Sequence, residues 1–277
     1  MEPKQIYIEL CIEQINLINK NIDRNRYKPK YTDLYFLNHI YSLLNDVNSW
    51  KSLQNLYNFK HKTHYKTIYN KFCLWSKQNI FKNALINFYI KYYKRSTKLL
   101  ICDATCINNL YGHDKVGLNP EYKKHNVSKL SIICDKNKFI FSTILCNVKN
   151  MYERYSTLEH ELNVVKRHCD DISYVNNNSN YYKLIADKGY ISNTQCTINN
   201  KNVKRIFPKR SNSKVKSSKN DKIMLKTHRY KIEHVNASLK KCTRINTRKE
   251  RFSKYFYSFI YIASLLHNIK VFNKLNK

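Results

Sequence analysis

Glycine is almost missing from this chain: three residues of 277, at positions 112, 117 and 189, with only four prolines beside them. Carboxylates are scarce as well. Nineteen Asp and Glu stand against 51 Lys and Arg, for a formal charge of +32. The nine cysteines (11, 73, 102, 106, 134, 146, 169, 196 and 242) are scattered and contain no CxxC pair, which argues against a disulfide framework and a zinc module. Cys102 and Cys106, with His125 further on, read as small core residues rather than metal ligands. No apolar run approaches the roughly 20 residues that span a bilayer. The opening "MEPKQIYIELCIEQ" lacks the apolar centre of a signal peptide. These absences predict a soluble, intracellular protein with no membrane partner, in cytoplasm and nucleoid or in the nucleus of a eukaryotic host.

What is abundant is Lys, Asn, Ile and Tyr. An AT-rich genome imposes that pattern through its codons and inflates Lys without any function. The physical consequence holds regardless: such a surface attracts phosphate polymers, and the attraction weakens as salt rises. Nucleic acid is therefore the expected partner, ahead of membranes and acidic proteins. The length suits one large domain and a smaller one.

The first hundred residues read as helical. "TDLYFLNHIYSLLNDV" sets Leu34, Leu37, Ile40, Leu43, Leu44 and Val47 at helical spacing, with Thr32 as a cap. "THYKTIYNKFCLWSKQNIFKNALINFYIKYYKR" holds two more helices, with Ile68, Phe72 and Trp75 on one and Ile80, Leu85, Phe88 and Ile90 on the next. From Val47 to Cys102 there is no carboxylate, against eleven Lys and Arg. That charge suits a helix-turn-helix-like DNA-binding region over residues 1–97; a helical subdomain with solvated lysines is the alternative.

After Lys98 the texture changes. "KLLICDATCI" is an apolar run broken by Asp103, and "KLSIICDKNKFIFSTILC" reads as two strands joined by the turn "DKNK". "TLEHELNVVKRHC" has helical spacing. "YKLIAD" is a strand ending in Asp187, "VKRIFP" a short strand stopped by Pro208, and "KRSNSKVKSSKND" a Lys/Ser-rich loop. From "KIMLKTHRYKIEHVNASLKKCTRI" onward the chain reads as helical. This order predicts a mixed α/β domain over residues 98–277.

The few acids are informative by position. From Lys188 to the end, 23 Lys and Arg accompany three acids, Asp221, Glu233 and Glu250. Such an acid is either held structurally by a salt bridge or tolerated beside a phosphate because a metal neutralises it. At about 100° per residue, Lys222, Lys226, Arg229, Lys240 and Arg244 fall within about 40° of Glu233, opposite His228, Ile232, Val235, Leu239 and Cys242. The helix has a basic stripe with one Glu near its middle. Asp103 sits inside an apolar run, where an unpaired charge is costly, and Asp187 closes another, with Gly189 two residues on to let the backbone turn. Two strand acids and a helical Glu can converge at one end of a sheet. Magnesium suits such a site, taking hard oxygen ligands from carboxylates, phosphate and water. Two ions about 3.5–4 Å apart activate a nucleophile and stabilise a leaving oxygen.

These segments resemble a DDE transposase of the bacterial insertion-sequence kind. The matching elements are "ICDATCI", "NLYGHDKVGLNPEYKKHNVSKLSIICDKNKFI", "IADKGY", "IFPKRSN" and "RYKIEHVNASLKKCTRINTRKER". Weaker similarity in "WKSLQ" and "YKTIYNKFCLWSKQNIF" extends it over roughly residues 33–266. The family's last signature is Tyr-x2-Arg-x3-Glu-x6-Lys. Arg229, Glu233 and Lys240 keep that spacing, while Lys226 stands where Tyr is expected.

The resemblance implies a ribonuclease-H-like mixed sheet flanked by helices, behind an all-helical DNA-binding region. It implies a DNA transposase in which Asp103, Asp187 and Glu233 bind Mg2+ or Mn2+, two ions in all. Water cuts the element end, and the freed 3′-hydroxyl attacks target DNA. Arg229 and Lys240 would hold the phosphate, with Lys226, Arg244 and Lys222 on the stripe and Lys123, Asn126 and Lys129 as lesser backbone contacts. Double-stranded DNA is the implied partner, bound by a homodimer. The rivals are a repurposed DNA-binding protein of the same fold and a nuclease that cuts without joining.

Overall fold

The computed structural model of the chain describes residues 2–20, 30–45, 49–53, 64–93, 95–118, 126–146, 161–174, 181–187, 196–208 and 218–276. Lys123, Gly189 and the centre of the Lys/Ser-rich loop, 209–217, lie outside the described residues. The chain forms two compact units, one of residues 94–238 and one that joins residues 1–93 to 239–277.

The helical unit opens with α1 (Pro3–Asn19), where proline at the start needs no hydrogen-bond partner for its missing N–H. It buries Ile6, Tyr7, Leu10, Cys11 and Ile15. In α2 (Asp33–Asn45), Thr32 Oγ1 accepts the Tyr35 amide at 3.2 Å, the cap read from the sequence. Its buried face is Phe36, Leu37, Ile40, Leu43 and Leu44, while Leu34, expected there, is 47% exposed. The helix α3 (Tyr65–Lys77) buries Ile68, Phe72 and Trp75. Asn79, at φ 56°, turns the chain into α4 (Ile80–Tyr92), which buries Phe81, Ala84, Leu85, Phe88 and Tyr89. Ile90, placed in the core by the sequence reading, is 61% exposed. Each fully buried large apolar side chain contributes about 1.5–3 kcal/mol.

The sheet unit begins with β1 (Leu99–Asn109), β2 (Gly117–Leu118), β3 (Asn126–Asp135) and β4 (Ile140–Cys146). The predicted hairpin is β3–β4, and its turn is held by Asp135, whose Oδ1 accepts the amides of Asn137 at 2.8 Å and Phe139 at 2.9 Å. The helix α5 (Glu161–Asp171) leads to β5 (Tyr181–Ile185), β6 (Thr197–Ile198) and β7 (Lys201–Ile206). Asn199 and Asn200, at φ 50° and 60°, make the two-residue turn between β6 and β7, a position that glycine fills in richer compositions.

Across the sheet the order is β4–β3–β1–β5–β7–β6, with β2 on the opening residues of β3. Strands β4, β3 and β1 are antiparallel, while β1, β5 and β7 are parallel. This is the mixed α/β sheet flanked by helices that the sequence leads one to expect. In its interior, His168 of α5 lies 2.8 Å from Ser142 Oγ through Nδ1 and 2.9 Å from Ser131 Oγ through Nε2. Ser142 donates in turn to Asp171 at 2.8 Å. With its proton on Nδ1 and Ser131 donating to Nε2, the imidazole is satisfied as a neutral ring, and burial pushes its pKa down to about 3.

Two more helices, α6 (Lys219–His228) and α7 (Tyr230–Lys240), replace the first part of the single long helix read from the sequence. Arg229 interrupts the regular hydrogen-bonding, and the Ile232 amide bonds the Arg229 carbonyl only three residues back. The short α8 (Thr243–Asn246) and the long α9 (Ser253–Leu275) belong to the helical unit, where α9 packs on α1, α3 and α4. The boundary expected at residue 97/98 therefore differs from the structure. The apolar closing helix finds its partners among the N-terminal helices. None of the described helices is long and apolar enough to cross a membrane.

Candidate active site

Parallel pairing of β1 with β5 sets the site. The register matches Leu99 to Lys183 and Ile101 to Ile185; continued by two residues, it leads to Asp103 on β1 and to Asp187, just past β5. Side chains alternate along a strand, so both acids project from the face that Ile101 and Ile185 share. Asp103 lies within β1 opposite Ile132 of β3, whereas Asp187 lies just past the end of β5.

Glu233 comes from the first turn of α7 and is exposed. That helix seats Ile232, Val235 and Leu239 in the core, as its apolar spacing predicts. Asn236 shares the buried side, one turn beyond Glu233. Its Nδ2 lies 3.4 Å from Asp103 Oδ2, while its Oδ1 is buried with no hydrogen-bond partner. Arg229, at the junction of α6 and α7, places a guanidinium nitrogen 3.3 Å from Asp187 Oδ1.

Electrostatics link the group. The Asp103 carboxyl is held above the ordinary carboxylate range, first by burial and further by the charges of Asp187 and Glu233. The Ala104 amide and the Arg229 guanidinium act in the opposite sense. The three acids thus share one neighbourhood. They do not close into a cage: among the described residues no three His, Cys, Asp or Glu side chains stand near enough together to hold a metal ion between them.

Their chemistry nonetheless fits a divalent ion. The carboxylates of Asp103, Asp187 and Glu233 and the orphaned amide oxygen of Asn236 are all hard oxygen donors, the set magnesium and manganese take. A cation beside Asp103 also relieves the repulsion among the acids. Asn236 was missed in the sequence, although a polar side chain in the apolar stripe of α7 was the available signal.

The remaining expected contacts are spread more widely. Lys222 and Lys226 are exposed on α6. Arg229, with helical dihedrals, separates them from Glu233 on α7. Lys240 ends α7, past the point where the chain enters the helical unit. Asn126 is exposed at the start of β3, and Lys129, half-buried, lies opposite Cys106 and Cys146. Arg244 is a correction. It is 2% exposed, lies 3.2 Å from Glu250 Oε1, and faces the rings of Trp50 and Phe259. A guanidinium so enclosed ties the helical unit together and does not present itself to a phosphate.

Residues 160–253 match the family model of a transposase DDE domain, a stretch that contains Asp187 and Glu233. No curated protein matches the chain. Among solved structures, the piggyBac transposase synaptic complex with hairpin DNA, determined by cryo-EM, shares the fold. Its TM-score is 0.57 at 9% identity, over 100% of this chain and 76% of that one. The domain match covers the later part of the sheet unit and the start of the helical unit, and the likeness to the solved structure is one of fold.

Proposed function

We propose that the protein cuts DNA at the ends of a mobile element and joins the freed 3′-hydroxyl to target DNA, with Asp103, Asp187 and Glu233 holding the divalent metal. The observation that supports this reading is Asp103, inside β1, feeling the charges of Asp187, Glu233 and Arg229, with Arg229 paired to Asp187. A net charge of +32 supports a polyanionic substrate.

Bound there, two divalent ions would supply a nucleophilic oxygen at neutral pH and a counter-charge for the leaving oxygen. The chain's own groups do the rest. Asn236 orients the Asp103 carboxylate through its amide hydrogen. Arg229, already paired with Asp187 through one nitrogen, has further donors for a phosphate oxygen as charge develops there. The buried Ile232, Val235 and Leu239 fix the rotation of α7 and with it the direction of Glu233. Lys240, Lys226, Lys222, Asn126, Lys129 and Lys123 would hold the DNA backbone, and the lysine-rich N-terminal helices would recognise element ends. Two copies acting together would bring both ends to one target.

Lys226 in the place of the family's Tyr favours one rival, a protein of this fold that binds DNA without transposing it. Incubating the protein with its flanking genomic DNA and magnesium, then mapping ends and joints, separates the readings. Cut ends with joined products are expected. Cutting without joining would make it a nuclease, and binding without either would make it the repurposed binder.

A further inference from the structure

The turn between β3 and β4 meets the first half of α7 in a group of bases that the catalytic reading leaves unused. Lys231 Nζ donates to the carbonyl of Lys136 at 2.9 Å, and Lys138 Nζ lies 2.8 Å from His234 Nδ1. That contact seats the His234 ring beside the Lys138 ammonium. His234 is exposed and so is Lys136. His228, at the end of α6, belongs to the same group. Its Nδ1 is buried without a hydrogen-bond partner, and its pKa is lowered by burial first and then by Lys231 and Lys136. Asp135 is buried and binds backbone amides, and Glu233 belongs to the catalytic set.

Two lysine ammoniums are thereby held by a carbonyl and an imidazole, and the charge of the exposed Lys136 acts on His228 together with that of Lys231, so the patch offers several point charges to an anion. The turn that makes this possible needs Lys138 at φ 72°, a left-handed conformation unusual for a residue other than glycine. The cluster flanks the active site on its own helix, Lys231 two residues before Glu233 and His234 one after.

We propose that Lys136, Lys138 and Lys231, with His228 and His234, form a second phosphate-binding site that holds the DNA backbone where it leaves the active site. The site rests on the DNA-processing reading above and extends it. It reads backbone rather than bases, because ammoniums on a β-turn offer point charges to phosphate oxygens and no flat donor pair for a base edge.

The test is the salt dependence of binding to a fluorescent DNA duplex of arbitrary sequence, measured by anisotropy on the full chain without divalent metal. The triple variant K136Q/K138Q/K231Q should make the slope of log affinity against log salt shallower by about two to three, since each lost phosphate contact contributes about 0.9. The control K166Q/K201Q/K204Q removes the same charge elsewhere in the sheet unit and should change the slope by less than about one. The charge-preserving variant K136R/K138R/K231R should keep the wild-type slope, and it stands in if the glutamine variant does not fold: its side chains retain the phosphate contacts while altering the turn. Equal slopes for the glutamine variant and the wild type would overturn the site, as would equal losses in the variant and the control, or a collapsed slope in the arginine variant. A wild-type chain that fails to bind duplex at all would instead remove the DNA reading on which the site rests.

Discussion

Arg229 and Asp187 form an ion pair, 3.3 Å between nitrogen and oxygen, at the mouth of the site, with both side chains nearly half exposed. Exposed pairs of this kind contribute only about 0–1 kcal/mol to stability. Arg229→Gln is therefore expected to leave the melting temperature almost unchanged while slowing single-turnover cleavage by about a hundredfold, the effect of losing a donor to developing charge. Normal cleavage with lowered stability would make the pair purely structural.

Three acids in one neighbourhood repel each other until a cation arrives, so the metal-free protein should gain thermal stability from magnesium or manganese. Asp103→Asn and Asp187→Asn should each remove much of that gain, read as a shift in the melting temperature with and without metal. An unchanged metal response in both variants would place the binding elsewhere.

His168 gives a pH dependence whose sign is fixed. Unfolded, the ring takes a proton below its ordinary value of about 6.5; folded, it resists until about 3. The neutral ring's stabilisation is present above about pH 6.5 and declines as pH falls toward the folded value, by about 1.4 kcal/mol per unit. The stability difference between wild type and His168→Gln, from denaturant unfolding, should therefore shrink as pH drops from about 7 to about 4. A constant difference would mean that the ring titrates normally in the fold.

Arg244 and Glu250 are buried together in the helical unit. Removing one partner strands the other charge, at a cost of about 3–5 kcal/mol. Glu250→Ala should lower the melting temperature strongly, and Arg244→Met with Glu250→Leu should recover much of the loss. If Arg244→Met alone weakens DNA binding without destabilising the protein, its guanidinium reaches DNA after all.

Where local pattern decides structure, the sequence was readable. Apolar runs broken or closed by Asp103 and Asp187 marked β1 and β5, and the Asp135 turn marked the β3–β4 hairpin. The helical spacing of Ile232, Val235 and Leu239 marked the face that aims Glu233. The misses share another cause, contacts made by residues far apart in the chain. Nothing near Arg244 signals that Trp50 and Phe259 enclose it, and nothing in α9 signals that it joins α1, α3 and α4. Cutting the chain at residue 97 would therefore strip α9 of its packing rather than release a domain. The break at Arg229 was hidden because apolar spacing runs through it without proline or glycine. The turn lysines at 136 and 138 gained meaning only when α7 brought Lys231 and His234 to them.

The catalytic claim turns on Glu233, the one acid of the set that is exposed on a helix among bases. Glu233→Gln keeps size and helix propensity while weakening the proposed metal ligand and raising the net charge by one. Single-turnover cleavage at saturating protein separates chemistry from binding. Under those conditions the variant should bind DNA at least as tightly as the wild type and cut at least about a hundredfold more slowly, a loss of about 2.7 kcal/mol in transition-state stabilisation. A variant that cuts at the wild-type rate would make Glu233 a surface charge and contradict the assignment of the three acids.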